Sequence, residues 1–61
     1  MDYAALIQLI DKGLLYAKEK GEKPTKVCMN QEMAAIAGHD SILGLEIKIL
    51  DTLPVGKVIL E

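Results

Sequence analysis

The strongest constraint on the fold of this chain is the pattern of residues 42–61. Apolar and polar side chains alternate over residues 45–49, and a second apolar run at residues 58–60 follows Pro54-Val55-Gly56. Alternation with a period of two is typical of a β-strand, because successive side chains point to opposite faces of the sheet. Proline holds φ at about −65°, which suits a type I turn, and Gly56 can take the left-handed conformation that completes it. The pattern predicts a C-terminal β-hairpin.

The turn also sets which side chains share a face of the predicted hairpin. With a three-residue turn, Leu50 faces Leu60. One face of the hairpin then carries Leu45, Ile47, Ile49 and Ile59. The opposite face carries Leu50, Val58 and Leu60 beside Glu46 and Lys48. A two-residue turn would instead group Leu50 with Ile59. In either register we expect aliphatic side chains on both faces of the sheet.

Residues 3–18 predict an amphipathic helix at the start of the chain. Asp2 can cap its N-terminus, and Gly21 and Pro24 end it near Lys20. At helical spacing its main apolar face consists of Tyr3, Leu6, Ile7, Ile10, Leu14 and Ala17. A thinner second stripe consists of Ala5, Leu9 and Tyr16.

Between this helix and the hairpin, residues 27–29 form a short apolar run that predicts a strand. Asn30 is a favourable N-cap for a second, short helix, and Gly38 ends that helix. The chain is therefore predicted to be a single small α+β domain over residues 1–61. Its elements are an N-terminal amphipathic helix, a short strand, a short helix and the C-terminal β-hairpin, which make a three-stranded sheet with helices packed on it.

Charge and composition argue against nucleic acid as the partner. The formal net charge is −2, and all seven basic residues are lysines. Proteins that bind nucleic acids usually carry a net basic balance and use arginine for bidentate contacts to phosphate or guanine. The sequence therefore disfavours nucleic acid as a partner without excluding it.

Cysteine usage and hydropathy indicate a soluble protein of the cytoplasm. Cys28 is the only cysteine, so an intrachain disulfide is excluded and a reducing compartment is expected. No segment approaches the run of about 18 apolar residues that a membrane span requires, and the first residues do not resemble a signal peptide. We expect a cytoplasmic protein that does not enter a membrane.

The polar residues offer little material for catalysis. His39-Asp40-Ser41 contains the residue types of a hydrolase triad, but adjacent loop residues cannot converge as nucleophile, base and orienting group. Cys28 and His39 are too few ligands for a zinc site. No glycine-rich loop opens onto a helix as a phosphate site requires. We predict no enzymatic activity, no cofactor and no metal, and retain residues 39–41 as a speculative ligand loop.

The aliphatic surplus is the most informative functional signal. Hydrophobic residues make up 51% of the chain, more than so small a monomer easily buries. Exposed aliphatic area and an open sheet edge usually mark a contact surface. The side chains left over after the predicted core is filled are Leu9, Tyr16, Leu50, Val58 and Leu60. We predict that they form an interaction surface, that the protein is a homo-oligomer, and that it binds another macromolecule, such as a protein.

Two alternative functions remain open. Subunit interfaces of an oligomer could enclose a nucleotide-like small molecule, contacted by lysines or by the loop at residues 39–41. A minor alternative is a DNA-binding regulator, because residues 31–38 resemble the first helix of a helix-turn-helix motif. The residues that follow, however, have the period of a strand and not that of a recognition helix.

Residues 27–60 also resemble a strand–helix–hairpin segment of proteins from tailed phages and related mobile elements. The resemblance lies in the strand and Asn30-led helix, in Ile42-Leu43-Gly44, and in the turn from Asp51 through Leu53-Pro54-Val55-Gly56 to Leu60. It implies a small phage-encoded accessory protein, a group that includes inhibitors of host factors acting by binding. It transfers no functional residue to this chain.

Overall fold

The computed structural model describes residues 1–61 and shows two helices packed on one face of a four-stranded mixed sheet. The elements are α1 (Tyr3–Glu19), β1 (Lys26–Met29), α2 (Gln31–Ala37), β2 (Ser41–Ile42), β3 (Leu45–Ile49) and β4 (Ile59–Leu60). The predicted α+β class is confirmed. The sheet, however, has four strands where three were predicted.

The strand order corrects the predicted C-terminal hairpin. The order is β2-β3-β1-β4, with β1 parallel to β3 and antiparallel to β4, so β3 and β4 do not touch. The prediction of a hairpin between them was wrong. The physical reason is that β1 is apolar on both faces, with Val27, Cys28 and Met29 all buried, and a strand buried on both faces is most stable between two neighbours.

A turn forms over residues 54–57, with Pro54 at its first position where the predicted turn had it at its second, and it lies inside a longer connection between β3 and β4. The Lys57 N–H donates to the Pro54 carbonyl oxygen at 3.2 Å, and Gly56 has a φ of 92°. The Gly56 N–H also donates to the Sδ of fully buried Met33 at 3.4 Å. The turn therefore covers the core beside α2, and residues 50–58 carry the chain across β1 to the far edge of the sheet.

The hairpin that does form joins β2 to β3. Ile42 pairs with Leu45, so only Leu43 and Gly44 lie between the strands. Both have positive φ, 51° and 79°, which is typical of a type I′ turn. Ser41, predicted to lie in a polar loop, belongs to β2 and pairs with Glu46.

Both helices begin where local capping predicts. The Asp2 carboxylate accepts a hydrogen bond from the Ala5 N–H at 2.8 Å, and the Asn30 side-chain oxygen accepts one from the Met33 N–H at 2.9 Å. Gly38 ends α2 with a left-handed φ of 72°. These caps orient α1 and α2 over the sheet, where they bury Leu6, Ile10, Met33 and Ala37.

Only one face of the sheet is apolar. The register of β4 decides which β4 side chains lie on that face. Val27 pairs with Ile47 on one side and with Leu60 on the other, and directly paired residues share a face. The helix-covered face therefore includes Leu60 together with Leu45 and Ile47. The predicted register, which placed Leu60 opposite them, was wrong because β4 pairs with β1. The open face carries Lys26, Cys28, Glu46, Lys48, Ile59 and Glu61.

Candidate functional site

The largest concentration of predicted interaction residues lies along the side of the molecule where α1 faces β4. A recess of about 250 Å³ opens there, lined by Gly13, Tyr16, Ala17, Glu22, Val58 and Leu60. Gly13 allows the two elements to come close, because a Cβ at this position would stand 3.0 Å from the Leu60 Cδ1. The recess is thus a direct consequence of β4 lying against the helix.

A second recess continues this surface toward the start of α1. It has a volume of about 200 Å³ and is lined by Met1, Ala5, Gln8, Leu9, Lys12 and Gly56. Leu9, Gly13 and Tyr16 follow one another at intervals of about one helical turn, and residues 56–60 run beside them. Both recesses lie between α1 and residues 56–60, and we refer to the two together as the α1–β4 groove.

The structure brings four of the five predicted interaction residues into the α1–β4 groove. Leu9, Val58 and Leu60 are half-buried and pack against the core, so only their outer surfaces line the groove. Tyr16 is 60% exposed, and the Lys20 ammonium lies 4.5 Å from the centre of its ring. Leu50 lies elsewhere: it follows β3, and its N–H donates to the Met29 carbonyl oxygen at 2.8 Å.

The outer edge of β4 leaves backbone groups unpaired beside this groove. Lys26 and Glu61 exchange two backbone hydrogen bonds, at 3.0 and 2.9 Å, so Glu61 points toward β1. Because neighbouring strand residues point to opposite edges, the N–H and C=O groups of Leu60 point away from β1. Val58 lies just before β4, and the same alternation, continued by two residues, directs its groups outward as well. No strand lies beyond β4 to receive them. The edge is therefore open to pairing with another chain.

The open face of the sheet is polar except for one large side chain. The Glu61 carboxylate lies 3.8 Å from the Lys48 ammonium, and it accepts a hydrogen bond from the Cys28 thiol at 3.5 Å. Burial raises the pKa of the Cys28 thiol, and the hydrogen bond and negative charge of Glu61 raise it further. Ile59 is 41% exposed on this face, at the edge of the sheet.

The speculative ligand loop is divided by the fold. His39 and Asp40 line an open cleft of about 360 Å³ between α2 and the end of β3, together with Gln31, Ala34, Ala35, Gly38, Ile47 and Ile49. Ser41 is paired in β2. None of these three side chains donates or accepts a hydrogen bond with another. The arrangement does not form a nucleophile–base pair, and no three His, Cys, Asp or Glu side chains come together as a metal-binding group.

Sequence reasoning did not single out Lys57, Ile59 and Glu61, which lie at or beside the open edge of β4. The register predicted for the three-residue turn placed Ile59 on the same face as Leu45, Ile47 and Ile49, whereas the observed register places it on the opposite face, where it is exposed. The usable signal was the segment Lys57-Val58-Ile59-Leu60-Glu61, in which opposite charges flank three aliphatic residues. A second signal was the uninterrupted apolar run of β1, which is typical of a central strand.

No protein-family model, curated protein or solved structure matches this chain. Neither α1 nor α2 has the length and apolar character needed to cross a bilayer.

Proposed function

We propose that this protein is a small, non-enzymatic binding protein that self-associates and binds another macromolecule. The observation that supports the proposal is the α1–β4 groove beside an unpaired sheet edge. Apolar surface next to free backbone donors and acceptors is the combination used when one chain adds a strand to another. Binding without catalysis is also what the resemblance to small phage accessory proteins implies.

The exposed apolar side chains support the same proposal. Eight large hydrophobic residues are at least two-fifths exposed, namely Met1, Tyr3, Leu15, Tyr16, Leu43, Ile49, Val55 and Ile59. Single exposed hydrophobic residues are ordinary, but an apolar groove of this kind usually marks a contact surface. The open face mixes lysines with glutamates and contains no arginine, so it lacks the basic patch typical of nucleic-acid binding. The partner proposed is therefore a protein.

Light scattering coupled to size exclusion, run from low micromolar to millimolar protein, tests this function. We expect the mean mass to rise above 6.7 kDa with concentration. Tyr16→Ser should weaken the association, because it removes the most exposed large apolar side chain of the groove. Tyr3→Ser is the matched control, since Tyr3 is 51% exposed on the same helix but lies outside the groove. A constant monomer mass at every concentration would contradict the proposed self-association.

A further inference from the structure

We infer that the β4 edge binds a second copy of this chain, whose own β4 pairs with it antiparallel about a twofold axis at Ile59. The inference rests on the proposed self-association and specifies its interface. In this arrangement two four-stranded sheets join into one continuous sheet, with the α1 helices of both copies on the same face. Three independent properties of residues 57–61 support it.

The first property is the direction of the backbone groups. The N–H and C=O groups of Val58 and Leu60 point outward from β4. An antiparallel second copy centred on Ile59 places Val58 opposite Leu60 of the second copy. Each such pair can exchange both of its N–H···O=C hydrogen bonds, and the twofold axis creates the pair twice. No backbone group in the segment has to change direction.

The second property is charge, which selects the register. The outward-pointing backbone groups could also pair if the twofold axis lay at Val58 or at Leu60. In those two registers, however, Ile59 would face Lys57 or Glu61 of the second copy, respectively. With the axis at Ile59, Lys57 faces Glu61 of the second copy, and Glu61 faces Lys57 of the second copy. Opposite charges facing each other across strands are stabilising, and like charges are destabilising. Glu61 is about half exposed, so its carboxylate remains accessible despite its contact with Lys48.

The third property is the exposure of Ile59 on a polar face. Ile59 is 41% exposed among lysine and glutamate side chains. In the proposed register Ile59 faces Ile59 of the second copy as a non-hydrogen-bonded pair. Side chains approach each other more closely in such a pair than in a hydrogen-bonded pair. The association therefore removes from water the one large apolar side chain of the open face.

The size of the molecule limits how stable such a dimer can be. Its principal extents are 30 × 20 × 19 Å, so the side that carries α1 and β4 presents at most roughly 600 Å². Stable interfaces usually bury about 800 Å² on each partner. We therefore expect a reversible dimer that forms at micromolar or higher concentrations.

The other edge of the sheet is less suited to a second copy. β2 covers the first half of β3, and the Ile47 N–H already donates to the Asp40 carbonyl oxygen at 2.9 Å. The free part of that edge is confined to the end of β3 beside Ile49. It lacks the paired opposite charges that flank β4.

A cysteine placed on the proposed axis tests the geometry directly. Ile59→Cys is made in a Cys28→Ala background, because Cys28 pairs with residue 59 inside the same chain. Directly opposed residues of this type have Cα atoms about 4.5 Å apart, within the range of a disulfide. We expect mild oxidation to convert this variant to a covalent dimer. The matched control is Lys57→Cys in the same background, whose two Cα atoms would be about 14 Å apart and beyond reach.

Charge reversal tests the register without a covalent bond or a change in the core. Lys57→Glu would place two glutamates opposite each other, and Glu61→Lys would place two lysines opposite each other. We expect each variant alone to raise the dimer dissociation constant by about tenfold. An equimolar mixture should recover dimerisation, because every facing pair in the mixed dimer is again opposite in charge.

The outcomes separate this inference from the proposed function. A disulfide dimer from Ile59→Cys but not from Lys57→Cys, together with recovery in the mixture, supports the β4 interface. If the wild-type protein associates while neither the cysteine nor the charge variants behave as expected, the inference is wrong and self-association uses another surface. If the wild-type protein stays monomeric throughout, both the inference and the proposed self-association fail.

Discussion

Leu43 is the residue whose conformation agrees least with its side chain. It has a left-handed φ of 51° at the first position of the β2–β3 turn, and it is 47% exposed. The left-handed region costs an ordinary L-residue about 1–2 kcal/mol, whereas asparagine tolerates it and glycine accepts it freely. Gly44, at the second turn position, already meets this requirement.

We predict that Leu43→Asn stabilises the protein by about 0.5–1 kcal/mol, because Asn-Gly is the preferred sequence for a type I′ turn. The free energy of unfolding from urea denaturation measures the change. Gly44→Ala is the contrasting variant and should destabilise, since its φ of 79° is then imposed on a residue with a Cβ. A loss of stability in Leu43→Asn would show that the turn has a different conformation.

Cys28 is buried beneath charged side chains on the open face of the sheet. Its environment favours the neutral thiol, so its pKa is raised in the folded protein above the ordinary value of 9.0. As the pH rises past this value the thiol ionises first in the unfolded chain. The contribution of Cys28 to stability is therefore fully present below pH 9.0 and is lost as the pH rises through the folded-state pKa.

We predict that the wild-type protein loses stability between neutral and strongly alkaline pH faster than Cys28→Ala does. The two proteins share every other side chain, so the difference between them isolates the thiol. Urea denaturation of the two proteins at a series of pH values checks this. Equal pH dependence would mean that the thiol pKa is the same in the folded and unfolded states.

At the scale of elements, the contact between α1 and β4 shapes the candidate site. Gly13 lies inside a helix, where glycine is less favourable than alanine by about 1 kcal/mol. The packing explains why a glycine is present at this position, because Leu60 occupies the space that a Cβ would need.

We predict that Gly13→Ala is nearly neutral in the wild-type protein but stabilises a Leu60→Ala background by about 1 kcal/mol. In the wild type the gain in helix propensity is offset by the crowded contact with Leu60, and in the truncated background that contact is gone. A double-mutant cycle of unfolding free energies measures the coupling between the two positions. Strictly additive effects would contradict the proposed contact.

At the scale of the whole molecule, the central position of β1 organises both stability and binding. β1 is paired on both edges, whereas β4 is paired only on its inner edge. The same strand register that places Leu60 on the core face also exposes Ile59 and directs the backbone groups of Val58 and Leu60 outward. Packing and the proposed interface are thus set by one pairing, Val27 with Leu60.

We predict a concentration-dependent pattern of amide hydrogen exchange along β4. The Ile59 N–H points to β1 and should be protected at every concentration, whereas the Leu60 and Val58 N–H groups should exchange quickly when the protein is dilute. Pairing with a second copy should slow exchange at Leu60 and Val58 as the concentration rises. NMR-detected exchange at low and high concentration provides the measurement, and unchanged rates in a sample shown to dimerise would place the interface elsewhere.

Much of the local structure could be predicted from the sequence, because its causes lie within a few residues of each other. The caps at Asp2 and Asn30 depend on hydrogen bonds between residues three apart, and the α1 stripe depends on helical spacing. Leu9 and Tyr16, which line the α1–β4 groove, could be singled out in the same way, since they fall outside the main apolar face.

The sequence by itself determined the α+β class, the helices and the aliphatic surplus, because each depends on local periodicity and composition. Only the tertiary structure decided which strands are neighbours, since pairing depends on contacts between residues far apart in the chain. A plausible turn at Pro54 favoured pairing β3 with β4, but the burial available to β1 between them outweighed it. The pairing of β4 with β1 places Leu60 on the helix-covered face and Ile59 on the open face. It also leaves β4 at the edge of the sheet, on which the proposed dimer depends.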